Sequence, residues 1–129
     1  MTVAVAYSDS PRGQAALQAA AEEALLRRQD LAVLRIIPGV DEARANDPAV
    51  EKAVGEQLAE TSGLSWSLHT APERFDTAEA LLDKAEDVGA TLLVIGSRHR
   101  TRVGKLLLGS TVQRVLLESS VPVLVVKAT

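Results

Sequence analysis

Short apolar segments alternate along this chain with longer segments in which apolar residues recur at helical spacing. Strands are predicted where runs rich in Val, Leu and Ile are bounded by turn residues, at 2–7, 31–37, 64–69, 91–95 and 122–126. Helices are predicted between them, at 11–28, 48–61, 76–88 and 111–119. The chain is therefore organised as strands that alternate with helices.

Capping residues support the predicted helix starts. Ser10 and Asp47 each precede a proline, and this order of N-cap and first helical residue is typical of helix N-termini. Asp76 and Glu79 form a capping box, and the helix that follows carries apolar residues on one face. Gly13 is the one poor helix former in the first predicted helix.

Five strands that alternate with four helices predict a single α/β domain over residues 1–129. The sheet is expected to be mostly parallel, with helices on both faces and right-handed crossovers. In open sheets of this kind a ligand lies beyond the carboxyl ends of the strands, where the strand order reverses. The segments expected at that point are 7–11, 36–39 and 96–111.

Composition excludes several classes of function. The chain has no cysteine, which excludes disulfides and thiolate sites and favours a reducing compartment. Its formal net charge of −3 gives no general attraction to nucleic acid or anionic lipid. No apolar run reaches the roughly 20 residues that span a bilayer, and strand-like residues begin at Thr2 without a secretory signal. We therefore expect a cytoplasmic protein that binds neither membrane nor nucleic acid.

The segment from Gly96 to Thr111 carries the candidate chemistry. It follows the predicted strand 91–95 and ends where the last helix is predicted to begin. Backbone N–H groups at a helix N-terminus favour anions by roughly 0.3–1 kcal/mol, and a glycine allows a ligand to approach the backbone closely. Four basic residues lie within eight positions of an otherwise acidic chain: Arg98, Arg100, Arg102 and Lys105. These are the features of a phosphate cradle.

The same segment has a plainer interpretation. Its glycines would then serve turns, Ser110 would be an ordinary N-cap, and the basic residues would form a solvated surface. The segment is not a Walker loop, because Gly104-Lys105 is followed by Leu106 and His99 stands where that loop begins with glycine. On the residues alone, both interpretations stay open.

In element order and in motif, the chain resembles the universal stress protein family over essentially its whole length. Nucleotide-binding members of that family carry Gly-x2-Gly-x9-Gly-Ser/Thr after the fourth strand, and Gly96, Gly109 and Ser110 lie at matching spacing. The closing run 122–126 is also typical of the family. The resemblance implies a Rossmann-like fold and a cleft for an adenine nucleotide, ATP first among the candidates, with or without Mg²⁺.

Two positions depart from the family pattern. His99 replaces the middle glycine, where an imidazole would either obstruct the approach of phosphate to the backbone or donate a hydrogen bond to it. After the first strand, members often read Asp-Gly-Ser-Pro, whereas this chain reads Ser8-Asp9-Ser10-Pro11. The carboxylate is thus displaced by one residue, and Ser8 is a weaker acceptor for a ribose hydroxyl.

By resemblance, the residues that would line an adenine nucleotide lie at the ends of strands and in the glycine-containing segment. They are Tyr7, Ser8, Ile36, Gly96, Arg98, His99, Gly109, Ser110 and Thr111. Ile36 would contact the base through apolar surface, and its other interpretation is a buried strand residue. No residue is assigned to catalysis or to a metal ion.

Other residues are set aside for physical reasons. His69 has no second metal ligand at short spacing, so a surface or rim position is expected. Trp66 alternates with Leu64 and Leu68 and is expected to pack on the sheet. The chain lacks the Gly-x-Ser-x-Gly and His-Glu-x-x-His signatures of hydrolases, and nothing identifies a general base. We therefore predict binding without catalysis, or slow ATP hydrolysis at most.

The closing run 121–126 is long and apolar for an edge strand, and an exposed edge of this kind pairs with other chains. We predict a homodimer through it, as the family resemblance also implies; in the alternative, Pro122 marks the protected edge of a monomer. The leading functional hypothesis is an adenine-nucleotide-binding switch in stress response or signalling. The alternative is a dimeric interaction module that has lost nucleotide binding.

Overall fold

Strands and helices alternate in the computed structural model, which describes residues 1–38, 47–73, 76–97 and 109–127. The strands are β1 (Thr2–Ala6), β2 (Asp30–Pro38), β3 (Trp66–Glu73), β4 (Ala90–Ser97) and β5 (Val123–Lys127). The helices of these residues are α1 (Pro11–Arg27), α2 (Pro48–Leu58), α3 (Thr77–Asp87) and α4 (Ser110–Glu118). None of these helices is both long and apolar enough to cross a membrane.

The strands form one sheet in the order β3-β2-β1-β4-β5, and every neighbouring pair is parallel. Along the chain, β2 and β3 are added on one side of β1, and β4 and β5 are added on the other side. The strand order therefore reverses between β1 and β4, as in doubly wound α/β folds. The predicted fold class is confirmed.

Successive strand residues belong to two apolar clusters, one on each face of the sheet. Val3, Val5 and Leu31 belong to the cluster covered by α1 and α2. Ala4 and Leu34 belong to the cluster covered by α3 and α4. Because both faces are buried, the middle residues of β1 and β4 are apolar on both sides of the sheet, which accounts for the Val and Leu runs in the sequence.

The three N-caps predicted from sequence are confirmed. In each, a side-chain oxygen accepts a hydrogen bond from a backbone N–H two or three residues further on. The distances are 3.2 Å for Ser10, 2.9 Å for Asp47 and 2.8 Å for Asp76. These side chains satisfy N–H groups that the first turn of a helix leaves without a partner.

β3 is longer and α2 is shorter than the apolar pattern predicts. β3 runs from Trp66 to Glu73, beyond the predicted end at His69, because the second half of β2 continues to pair with it. α2 ends at Leu58, short of the predicted Thr61. Backbone pairing has no signature in hydropathy, and it decides where this edge strand ends.

Trp66 packs on the sheet, as its alternation with leucines predicts. Its side chain is partly buried against the α1/α2 cluster, together with Leu64 and Leu68. A Cβ placed on Gly55 of α2 would lie 3.7 Å from the indole ring. The helix therefore passes close over the ring, with room for one more methyl group.

Candidate functional site

A cleft opens where the carboxyl ends of β1, β2 and β4 meet the first turns of three helices. The strands and the residues after them contribute Ala6, Tyr7, Ser8, Ile36, Ile95 and Gly96. The helices and their caps contribute Arg12, Gly13, Thr77, Leu81, Gly109, Ser110, Thr111 and Val112. The cleft thus lies between β1 and β4, at the reversal of strand order where a ligand site is expected.

The turn from β1 into α1 packs directly against the first turn of that helix. A Cβ placed on Gly13 would lie 2.1 Å from the carbonyl oxygen of Ser8 and 2.5 Å from its Oγ. Ser8 Oγ lies 2.7 Å from Ser10 Oγ, which accepts the N–H of Gly13. A glycine is therefore required in this alanine-rich helix because no side chain fits between the helix and the turn.

Gly96 brings the backbone of α1 against β4. A Cβ placed on Gly96 would lie 2.3 Å from the carbonyl oxygen of Arg12 and 2.8 Å from its carbonyl carbon. From sequence we expected this glycine to admit a ligand to the backbone. In the structure, the space that a side chain would occupy is filled by α1. Gly13 and Gly96 together fix the first turn of α1 between the ends of β1 and β4.

α4 directs its N-terminus to the cleft. Gly109 is its N-cap with a φ of 89°, in the region that favours glycine, and it makes no side-chain capping bond. Ser110 is therefore the first helical residue, and its interpretation as an ordinary N-cap is wrong. The first N–H groups of a helix have no partner within it. With the hydroxyls of Ser110 and Thr111, they supply donors for an anion.

The charge around the cleft favours a negatively charged ligand. The first turns of α1, α3 and α4 all line it, so three helix dipoles contribute positive potential. Within the described parts of the chain no acidic residue lines the cleft, and the basic residue Arg12 does. Burial, and then the nearby Asp9 carboxylate, raises the pKa of Tyr7. The Tyr7 phenol is therefore protonated at neutral pH and can donate a hydrogen bond.

Most of the predicted site residues are brought together in this cleft: Tyr7, Ser8, Ile36, Gly96, Gly109, Ser110 and Thr111. Arg98 and His99 lie outside the described residues, as do Arg100, Arg102 and Lys105. Ile36 is partly buried against the α3/α4 cluster and also lines the cleft, so both of its interpretations apply. Asp9 is exposed and accepts a hydrogen bond from Gln14 Nε2 at 3.4 Å, as expected of a turn carboxylate.

Sequence reasoning missed the other described residues that line the cleft, which are Ala6, Arg12, Gly13, Thr77, Leu81, Ile95 and Val112. Arg12 and Gly13 directly follow the predicted segment 7–11, and the isolated glycine in a good helix was a usable signal of close packing. Thr77 and Leu81 belong to α3, which is remote in sequence from every predicted segment. They reach the cleft because α3 packs over the same face of the sheet as α4.

An ion-pair network joins α3 to α4 beside the cleft. Arg114 of α4 pairs with Asp76, the N-cap of α3, and its Nε lies 3.0 Å from Glu118 Oε2. The backbone N–H of Glu79, and then Arg114, hold the pKa of Asp76 below its usual range. The network ties the first turn of α3, which includes Thr77, to the helix that carries Ser110.

His69 lies away from the cleft, on the edge strand β3. Its side chain is partly buried, and its Nε2 lies 2.8 Å from Ser67 Oγ. Burial, and then the charge of Lys84, lowers the pKa of His69. Across the four described ranges, no group of three or more His, Cys, Asp and Glu side chains is placed to hold a metal ion.

Sequence comparison agrees with this architecture. The sequence model of the universal stress protein family matches residues 1–127. A universal stress protein of Mycolicibacterium smegmatis is 41% identical over 128 residues, which cover 97% of this chain and 96% of that protein. A universal stress protein of Mycobacterium tuberculosis is 33% identical over 95% of this chain, which spans only 47% of that longer protein.

Solved structures show the same fold. The universal stress protein from Archaeoglobus fulgidus in complex with dAMP has a TM-score of 0.72 and 25% identity, over 96% of this chain and 94% of that one. A universal stress protein in complex with cAMP has a TM-score of 0.77 over 99% of this chain and 98% of that one. Its identity is 22%, so that likeness concerns the fold alone.

Proposed function

Because the chain belongs to the universal stress protein family, we propose that it binds an adenine nucleotide, ATP first among the candidates, in the cleft between β1 and β4. The observation that carries the proposal is the composition of this cleft. Donors at the start of α4 lie around the same space as Tyr7 and Ser8, at the reversal of strand order. The similar protein from A. fulgidus, which was solved with dAMP, supports the choice of an adenine nucleotide.

In this proposal, each wall of the cleft contacts a different part of the nucleotide. The phosphates bind the N–H groups and hydroxyls of Ser110 and Thr111, where the α4 dipole favours negative charge. Ile36 and Tyr7 contact the base through apolar surface, and Ser8 hydrogen-bonds a ribose hydroxyl. Mg²⁺, where present, would accompany the phosphates and not a set of protein carboxylates.

The output of binding is a change of conformation or of partner in a stress-response or signalling role. No step of the proposal requires bond cleavage, and slow ATP hydrolysis is the most that it allows. The alternative function is an interaction module without nucleotide. It is favoured by two sequence departures, Ser8 in place of a carboxylate and His99 in place of a glycine, and it predicts a folded protein that ignores adenine nucleotides.

Gly109→Val tests the α4 end of the cleft. Gly109 lines the cleft, and a β-branched residue is strained at its φ of 89°, so the first turn of α4 should shift and nucleotide binding should be lost in a calorimetric titration. Gly63→Val is the matched control. Gly63 has a φ of 84° and nothing within 4 Å of the position that a Cβ would take, so this variant carries similar backbone strain but should bind normally. If both variants bind the nucleotide as tightly as the wild type, the N-terminus of α4 does not contact it.

His99→Gly distinguishes the two effects proposed for the imidazole. If His99 obstructs the approach of phosphate, the glycine variant should bind the nucleotide more tightly than the wild type. If His99 donates a hydrogen bond to phosphate, the variant should bind more weakly, and the loss should grow as the pH falls and the imidazole becomes charged. Unchanged affinity would place His99 outside the site.

We further propose that the protein is a homodimer that pairs through β5. β5 is the last strand on its side of the sheet, and its residues are at most partly buried, with Leu124 36% exposed. An edge of this kind offers unpaired backbone groups and apolar side chains to a second copy. Leu124→Lys should convert the dimer to a monomer in sedimentation analysis, whereas Leu26→Lys, on an exposed face of α1, should not. A wild-type monomer would refute the proposal.

A cytoplasmic location completes the proposal. A chain without cysteine has no disulfide to lose in a reducing compartment. Cell fractionation with antibody detection should find the protein with the cytoplasmic markers. Recovery in the secreted or membrane fraction would contradict this part of the proposal and leave the nucleotide site unaffected.

A further inference from the structure

Arg12 is the charged residue that lines the cleft within the described parts of the chain. It lies in the first turn of α1, and its backbone is in close contact with Gly96 of β4. The next residue, Gly13, is in similar contact with Ser8 after β1. The backbone at Arg12 is therefore held against β4 on one side and against the turn after β1 on the other, and its side chain starts from this fixed position.

Among the described residues, the Arg12 guanidinium has no ion-pair partner. The ion pairs of the described residues belong to Arg27 and Arg114, and neither involves Arg12. Asp9, the acidic residue nearest to the start of α1 in sequence, accepts a hydrogen bond from Gln14 instead. Ser8 stands where family members often carry a carboxylate, and among the described residues that line the cleft none is acidic and could compete for Arg12.

We propose that Arg12 binds a phosphate group of the nucleotide, and that it thereby makes the cleft select nucleotides over nucleosides. The inference rests on the proposed function. A guanidinium forms two parallel hydrogen bonds with a phosphate, and such charge-assisted pairs are stronger than bonds between neutral groups. The phosphate thus binds between the Arg12 guanidinium of α1 and the first N–H groups of α4.

The test compares AMP with adenosine, which differ by the phosphate alone, by calorimetric titration of the wild type and of Arg12→Gln. The variant should lose about tenfold or more in affinity for AMP and keep its affinity for adenosine within about twofold. Arg12→Lys, which keeps the charge but not the two parallel bonds, should lie between them. Arg27→Gln is the control, because Arg27 lies at the other end of α1 and pairs with Glu23 at 3.2 Å.

The possible results separate this inference from the proposed function. A preference for AMP over adenosine that is as large in Arg12→Gln as in the wild type would overturn the role of Arg12 while nucleotide binding stands. An equal loss for both ligands would also overturn it, since Arg12 would then shape the cleft and not contact phosphate. A folded wild type that binds none of adenosine, AMP, ADP and ATP would refute the proposed function itself, and the role of Arg12 would fall with it.

Discussion

Gly13→Ala and Gly55→Ala make the same chemical change in two helices, and we expect them to change stability in opposite directions. Helix propensity alone predicts that both variants gain up to about 1 kcal/mol, because alanine loses less backbone entropy on folding than glycine. The structure distinguishes the two sites. A Cβ on Gly13 would lie 2.1 Å from the carbonyl oxygen of Ser8, whereas a Cβ on Gly55 would lie 3.7 Å from the ring of Trp66.

The magnitude depends on which atoms have to move. At Gly13 the obstructing atoms include the carbonyl oxygen and the nitrogen of Ser8, so the turn between β1 and α1 must shift as a unit. Overpacking typically costs about 1–3 kcal/mol, and contact with backbone places this site at the upper end. After the gain in propensity, Gly13→Ala should lose about 2 kcal/mol. Gly55→Ala should gain about 0.5–1 kcal/mol, since its new methyl group meets only ordinary contact.

Urea unfolding followed by far-UV circular dichroism measures the free energy of unfolding of both variants and the wild type. Fluorescence is less suitable, because Trp66 is the one tryptophan of the chain and lies beside Gly55. Gly13→Ala should also bind nucleotide more weakly, since its shifted turn carries Ser8 and adjoins Arg12. A Gly13→Ala variant that is as stable as the wild type would refute the reasoning from close packing.

Three further predictions concern the core and two titrating groups. Leu17→Ala, in the fully buried face of α1, should cost about 2–5 kcal/mol in urea unfolding, whereas Leu26→Ala, 80% exposed on the same helix, should stay within about 0.5 kcal/mol. Folding lowers the pKa of His69, so its contribution to the free energy of unfolding is fully present above the ordinary histidine pKa and is lost as the pH falls through the folded pKa. The urea midpoint of His69→Gln should therefore depend less on pH than that of the wild type between about pH 7 and pH 5. The pKa of Asp76 is also lowered, so the charged carboxylate stabilises the fold at neutral pH and this contribution is lost in acid. The difference in urea midpoint between the wild type and Asp76→Asn should therefore shrink as the pH falls through the pKa of Asp76 in the folded protein. A difference that does not change with pH would contradict this assignment.

The elements of the fold were predictable because their causes are local. The central strands are buried on both faces, so they appear in the sequence as continuous apolar runs. The caps at Ser10, Asp47 and Asp76 are side-chain chemistry that a sequence displays directly. The pairing of β1 with β4 is different. It brings Thr2 beside Ala90, and no local pattern shows that two segments so distant in sequence are neighbours.

The same distinction applies to the cleft. The family resemblance carried by Gly96, Gly109 and Ser110, together with the position rule for ligands in parallel sheets, indicated half of its described lining residues from the sequence. The contribution of Thr77 was not predictable, because it depends on how α3 packs over the sheet. The reason for Gly96 was also missed, since only the three-dimensional contact with Arg12 reveals that a helix backbone occupies the space of its side chain.

Adenine nucleotide binding is the central claim, and it is tested most directly on the purified protein. Mass spectrometry of any small molecule that copurifies should detect an adenine nucleotide. Calorimetric titration of the stripped protein with AMP, ADP and ATP, with and without Mg²⁺, should then show one site per chain with a micromolar dissociation constant, about −8 kcal/mol. A folded protein that carries no nucleotide and gives no binding heat with any of the three would contradict the account and support the interaction module without nucleotide.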